Sequence, residues 1–142
     1  MVFTPCRTND TYSATKIYES SKGKVDTWAN ARAACHAIQM QLAIPTSAEE
    51  NEAIRTESQS GNRIWIGISD LRGPFTDTEG NERLYTNWAK EEPSSLLRGN
   101  CVLQLPPHQD SKWNAVSCTR SAEYVCEAIS EIIKLKFNIT IN

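Results

Sequence analysis

Residues 63–69 read RIWIGIS, and the alternation in this stretch decides the architecture. On an extended chain Ile64, Ile66 and Ile68 fall on one face, with Trp65 and Gly67 on the other. Both faces are apolar, which predicts a strand buried on both sides. Toward the N-terminus the period lengthens. Trp28, Ala31, Cys35 and Ile38 recur at three- and four-residue steps behind Asp26 or Thr27, either of which can cap a helix. After Pro45, Ser47 and Glu50 have capping-box spacing, and a second, more polar helix should run to about Glu57 and stop at Ser60-Gly61-Asn62. Beyond the strand, residues 70–99 are turn formers and polar residues interrupted by Phe75, Tyr85 and Trp88. A structureless connection of that length is uncommon in a small domain, so this one reads as a functional loop folded on its own anchors. Three short strands, CVLQL, KWNAV and EYVCEAI, end the core. Helices first and strands after, with no repeats, is an α+β order.

The 142 residues suffice for one domain with a modest core. A formal net charge of -2 gives no reason to expect nucleic acid or an anionic membrane as partner. No apolar run approaches the roughly 18 residues of a spanning helix. No signal-peptide pattern follows Met1, which suits either a trimmed chain or a cytosolic one. Five cysteines and two sequons, at Asn9 and Asn138, favour the first and a secreted, extracellular protein. Cys6, Cys35, Cys101, Cys118 and Cys126 contain no CxxC pair, so disulfides are expected rather than a metal box. Spacing alone leaves about fifteen ways to draw two bridges, with one cysteine left over.

WANARAAC, LAIPTSAEENEAI, WIGISD, LYTNW, EEPS, GNCV, KWNAVSC and YVCE, in that order, resemble a C-type lectin domain, nearest the collectin, mannose-binding subgroup. The resemblance runs from about Tyr18 to Glu127 and implies a double-loop fold: two helices packed on small antiparallel sheets, with a long ligand-binding loop. It also implies the bridges Cys35–Cys126 and Cys101–Cys118, worth about 3 to 5 kcal/mol each in the chain-entropy account. Cys6 is then the orphan, for an intermolecular bridge or a free thiol. The expected division is an N-terminal segment at 1–17, the lectin-like domain at 18–128 and an extension at 129–142.

In that family a Glu-Pro-Asn motif with a cis proline holds one calcium ion, and the ion holds vicinal sugar hydroxyls. Here the motif reads Glu92-Pro93-Ser94. Glu92 matches the acid, while Ser94 offers a shorter, weaker ligand than asparagine. Gly99 and Asn100 stand where the family has another glutamate, and Trp113-Asn114-Ala115 replaces Trp-Asn-Asp. The resemblance therefore implies Glu92, Ser94, Asn114 and the carbonyl of Ala115 as metal ligands, with Glu91 a stand-in. Glu92, Ser94 and Asn114 would also meet the sugar, with Ser95 and Arg98 as nearby donors. Calcium affinity follows ligand charge, so a site missing two carboxylates falls at the weak end of the extracellular range or beyond it. An accessory calcium site is not expected: Asp70 matches one ligand, but Arg72 stands in place of an acid.

Blander readings compete. Glu92-Pro93-Ser94 also reads as a solvated turn kept from an ancestral lectin. Trp28, Trp65, Trp88 and Trp113 read as core, and His36 as structural or surface. His108 and Asp110 are half of a zinc (Zn2+) site at most, in a chain with two histidines. No GxSxG is present, and Glu49-Glu50 suits a helix N-terminus, so no enzyme is expected. The expected function is a secreted lectin of innate-immune type for mannose-type or microbial-surface glycans, using a weak calcium (Ca2+) site. The rival is a lectin-like module that binds protein or glycan without calcium. Finally Ile133, Leu135, Phe137, Ile139 and Ile141 alternate with polar residues, an amphipathic strand signal. It suits an edge strand covering the chain's own surface, or subunit pairing by strand addition, as Cys6 suits a homo-oligomer.

Overall fold

The computed structural model describes residues 15–81, 85–94 and 99–129. Cys6, Asn9, Ser95, Arg98, Asn138 and the alternating segment 131–142 lie outside the described residues. The chain runs β1 (Lys16–Ser20), α1 (Trp28–Ala37), β2 (Gln41–Leu42), α2 (Ala48–Ser58), β3 (Ile64–Ser69), β4 (Thr76–Asp77), β5 (Asn100–Gln104), β6 (Trp113–Ser117) and β7 (Glu123–Ile129). A 3-10 turn at Pro107–Gln109 lies between β5 and β6. The sheet order is β1-β7-β3-β5-β6, with β2 also on β7 and β4 also on β3. β3 and β7 pair in parallel, Ile64 beside Glu123, whereas the other pairings are antiparallel. This is the expected α+β, double-loop arrangement.

Both helices start where their caps require. Thr27 Oγ1 accepts the Asn30 N–H at 3.3 Å, and Asp26 supports it by accepting from Thr27 and Asn30. α1 buries Trp28, Ala31 and Cys35; Ile38, the fourth apolar position in the pattern, instead ends the helix half exposed. Ser47 Oγ accepts the Glu50 N–H at 3.1 Å. The Glu50 carboxylate returns to Thr46, one residue before the cap, so the reciprocal half of the capping box is shifted. α2 stops at Gln59, which takes a left-handed conformation.

β3 divides the core as its alternation predicts. Ile64, Ile66 and Ile68 pack with Ile54, Val102, Trp113 and Val125. Trp65 faces the other way, among Trp28, Cys35, Leu42, Cys101 and Cys126. Gly67 is required between them, because a Cβ there would stand 2.8 Å from the Leu42 carbonyl oxygen. The indoles also brace the layers: Trp28 Nε1 donates to the Ile66 carbonyl and Trp65 Nε1 to the Asp26 carbonyl. A buried amide network locks α2 to β5 and β6. In it Gln104 Nε2 and Trp113 Nε1 both donate to Asn51 Oδ1, each at 2.9 Å. Cys35–Cys126 closes 91 residues and Cys101–Cys118 closes 17.

β1 carries a weak sequence signal, because its first two residues are reversed relative to hydrophobicity, although Tyr18 packs inward and Glu19 outward as their polarity requires. Ile17 is exposed and Lys16 turns inward. The Lys16 ammonium donates to the Ile44 carbonyl and to Glu50, and lies 3.1 Å from Glu127. One cation thus serves two acids with opposite outcomes. Burial pushes Glu50 up, but bonds from Thr46 and Lys16 outweigh it and the carboxyl ends below its ordinary value. Glu127 is 2 % exposed, and there desolvation wins over Lys16, Ile44 and Gln41, so its carboxyl ends raised.

Two outcomes follow. Replacing Cys101 and Cys118 together by serine should lower the unfolding free energy by about 3 kcal/mol, and replacing Cys35 and Cys126 by rather more, since the closed loop is longer; denaturant midpoints measure both. Because folding raises the Glu127 value above 4.5, its stabilising contribution is complete below that pH and is lost as pH rises through the folded value. Wild type should therefore lose ground against Glu127→Gln as pH rises above about 4.5, read from urea midpoints across a pH series. A difference independent of pH would contradict this assignment.

Candidate functional site

The sheet ends at β6, and an edge strand leaves outward backbone groups without ladder partners. In this chain the long loop supplies them. The Trp113 N–H donates to the Asn87 carbonyl at 2.9 Å, and the Trp113 carbonyl accepts from Ala89 at 2.8 Å. Asn87 is itself held by Lys112 and by the Ser111 carbonyl. Trp88 packs edge-on against Trp113 and Phe75, and Tyr85 packs edge-on against Trp113. The three aromatics that interrupt the loop sequence are thus its anchors.

From Ala89 the chain turns through Glu91, in a left-handed conformation, and the Glu92 N–H donates back to the Ala89 carbonyl. The Glu92–Pro93 peptide bond is cis. The Glu92 side chain lies against β6, where Oε1 accepts the next outward backbone donor, the Ala115 N–H, at 2.8 Å. The other carboxylate oxygen accepts the Ser94 hydroxyl at 2.9 Å. Glu92 is half-buried, while Glu91, Pro93 and Ser94 are exposed. Asn114 is half-buried, and its Oδ1 is a buried acceptor with no hydrogen-bond partner among the described residues.

The structure therefore brings together Glu92, Ser94 and Ala115 through bonds, with Asn114 adjacent on β6. His36 and His108 are both exposed and lie apart from this cluster, on α1 and the 3-10 turn. Among the described residues no group of three His, Cys, Asp or Glu side chains could hold a metal. Tested as a calcium site, the donors are right in kind, since all are oxygens. They fall short in charge, because among the described residues Glu92 is the one acid bonded to β6 and both its oxygens already accept protein hydrogens. The set does not fit a calcium ion held as tightly as three carboxylates would hold it.

Asp70 was legible only as a remnant of an accessory metal site. It instead clasps the far end of the loop. Asp70 Oδ1 accepts the N–H groups of Gly99 at 2.9 Å and Asn100 at 2.7 Å, and Oδ2 accepts the Asn100 amide at 3.2 Å. Its own N–H donates to the Asn100 carbonyl. The carboxylate is 8 % exposed and fully engaged in closing the loop beside the Cys101–Cys118 bridge.

Comparison with known proteins agrees with the fold. The profile of the Lectin C-type domain matches residues 24–128. Mouse (Mus musculus) C-type lectin domain family 3 member A is 34% identical over 94 residues, 62% of this chain and 47% of that protein. The chain thus aligns with about half the length of that relative. The cow C-type carbohydrate-recognition domain of CD23, solved in the presence of a GlcNAc2Man3 oligosaccharide, superposes with a TM-score of 0.70 at 29% identity, over 80% of this chain and 88% of that one. A calcium-independent type II antifreeze protein superposes with a TM-score of 0.72 at 25% identity, over 87% of this chain and 94% of that one. With its profile match, two bridges and loop braced on β6, the chain belongs to the C-type lectin domain family.

Proposed function

We propose that this chain is a secreted carbohydrate-recognition module for mannose-type or microbial-surface glycans, in an innate-immune role, with calcium contributing weakly at most. The observation that carries the reading is the Glu92 carboxylate fixed against β6 by the Ala115 N–H, with Asn114 the preceding residue of that strand. Glu92, Ser94 and Asn114 form the ligand edge, and Ser95 and Arg98 supply further donors from the same loop. The fold relationship to a CD23 domain solved with an oligosaccharide supports a saccharide as ligand. Residues 18–128 form the recognition module, 129–142 an extension, and Asn9 and Asn138 the glycan acceptors. The family is one of binding modules, and no catalytic role is proposed.

A second reading is favoured by one observation: both Glu92 oxygens are bound by protein donors with no ion required. It is a module that binds glycan or protein independently of calcium, as the calcium-independent antifreeze relative folds in the same way. Retention on immobilised mannan, in calcium and then in chelator, separates the two. The proposal expects retention that chelator weakens without abolishing, and that Glu92→Ala removes. Retention untouched by both chelator and Glu92→Ala would move the binding surface elsewhere. No retention would discard mannose-type sugars.

Asp70 gives a second test of the same site at a distance. Asp70→Ala leaves the Gly99 and Asn100 donors unsatisfied, at a cost of about 1 to 3 kcal/mol for each buried one. Faster amide exchange at Gly99 and Asn100, together with weaker mannan retention in a folded protein, is the expected result. Loosened exchange with full retention would show that the ligand edge does not depend on the loop's closure.

A further inference from the structure

A second recess lies away from the long loop. Arg63 immediately precedes β3, and Arg120 and Ser121 occupy the turn between β6 and β7. The parallel pairing of Ile64 with Glu123 draws those two stretches side by side. Reciprocal backbone bonds between Asp26 and Ala122, both 3.0 Å, bring Val25 alongside. The result is a cleft of about 390 Å³ that includes Val25, Leu103, Pro106 and Ala122 among its apolar walls, with both arginines lining it. Arg63 precedes β3 and Asp70 follows it, so at 3.3 Å per residue the cleft and the loop base are roughly 20 Å apart.

The charges in this cleft are unspent. Arg63 and Arg120 are exposed, and among the described residues neither guanidinium has a hydrogen-bond or ion-pair partner. Glu123 also lines the cleft, but it is 7 % exposed and one of its oxygens is taken by the Asn62 amide at 2.7 Å. Two guanidiniums without a partner among the described residues, lining a cleft whose walls include apolar side chains, match a ligand that carries oxyanions on an apolar frame. Guanidinium binds such groups through paired hydrogen bonds, and a sugar ring presents its C–H face to apolar side chains. The volume lies within the range of small-molecule sites. The chain's overall charge of -2 would not attract polyanions generally, so binding of an anionic saccharide would have to be local.

We propose that the cleft between Arg63 and Arg120 is a second binding site, for a sulfated or uronic-acid-bearing saccharide. It is independent of Glu92 and of calcium. Isothermal titration with a heparin-derived sulfated disaccharide, its desulfated counterpart and inorganic sulfate tests it. The sulfated disaccharide should bind, with affinity falling about tenfold or more for Arg63→Ala and for Arg120→Ala. Arg72→Ala, an exposed arginine near the loop base, should change nothing, and mannan retention should survive in both cleft variants. Near-UV circular dichroism confirms that each variant is folded. No binding to wild type, equal loss in Arg72→Ala, or unaltered binding in the two cleft variants would overturn the proposal. Equal binding by the desulfated sugar would remove the role of the anion, and equal binding by inorganic sulfate would remove that of the saccharide.

Discussion

The outward N–H groups of Trp113 and Ala115 have no strand to bond to, and much of what surrounds the candidate site exists because they must be satisfied. An unpaired edge invites another chain. Here the loop itself answers, with backbone from 87–89 for Trp113 and a carboxylate for Ala115. The same contacts that finish the sheet therefore aim Glu92. Trp88, Tyr85 and Phe75 then pack against or around Trp113, so the loop is fastened by burial as well as by hydrogen bonds.

That arrangement leans on a core held by polar groups as much as by apolar ones. Asn51 receives hydrogens from Gln104 and Trp113, which fixes the indole that the loop packs on. Arg55 lies buried on α2 and donates to the carbonyls of Gln104 and Leu105, where β5 ends. Lys16, Glu50 and Glu127 join β1, α2 and β7 in the same manner. Groups with several bonds each tolerate burial, and losing one partner leaves the others desolvated without compensation.

Much of the fold could be read from particular residues. The isoleucines of β3 and the Thr27 and Ser47 caps each carry a local physical signal, whereas the cysteine pairing came only with the family resemblance. β1 carried little, since one of its inward residues is a lysine whose partner, Glu127, lies more than a hundred residues along the chain. The site was legible in kind, as an acid beside proline and an asparagine after tryptophan. What sequence could not give was who bonds to whom. Asp70 looked like a metal ligand left without company, because its partners at Gly99 and Asn100 are thirty residues away and mostly backbone. Ser94 looked like a poor substitute ligand, whereas its hydroxyl is committed to Glu92. Long-range bonds to main chain leave little trace in composition or spacing.

β1 and β7 run antiparallel with Lys16 opposite Ile129, so the chain enters and leaves the domain at one place. Tension applied between those two ends would peel the strands apart pair by pair instead of shearing them. Cys35–Cys126 limits how far that tearing travels, since the covalent route from one end to the other crosses at Cys126, three residues before Ile129. Everything between Cys35 and Cys126, including β3 and the loop with Glu92, hangs off that route as an unloaded side branch. A pull on the two ends can strip β1 without transmitting force along the chain to the recognition edge.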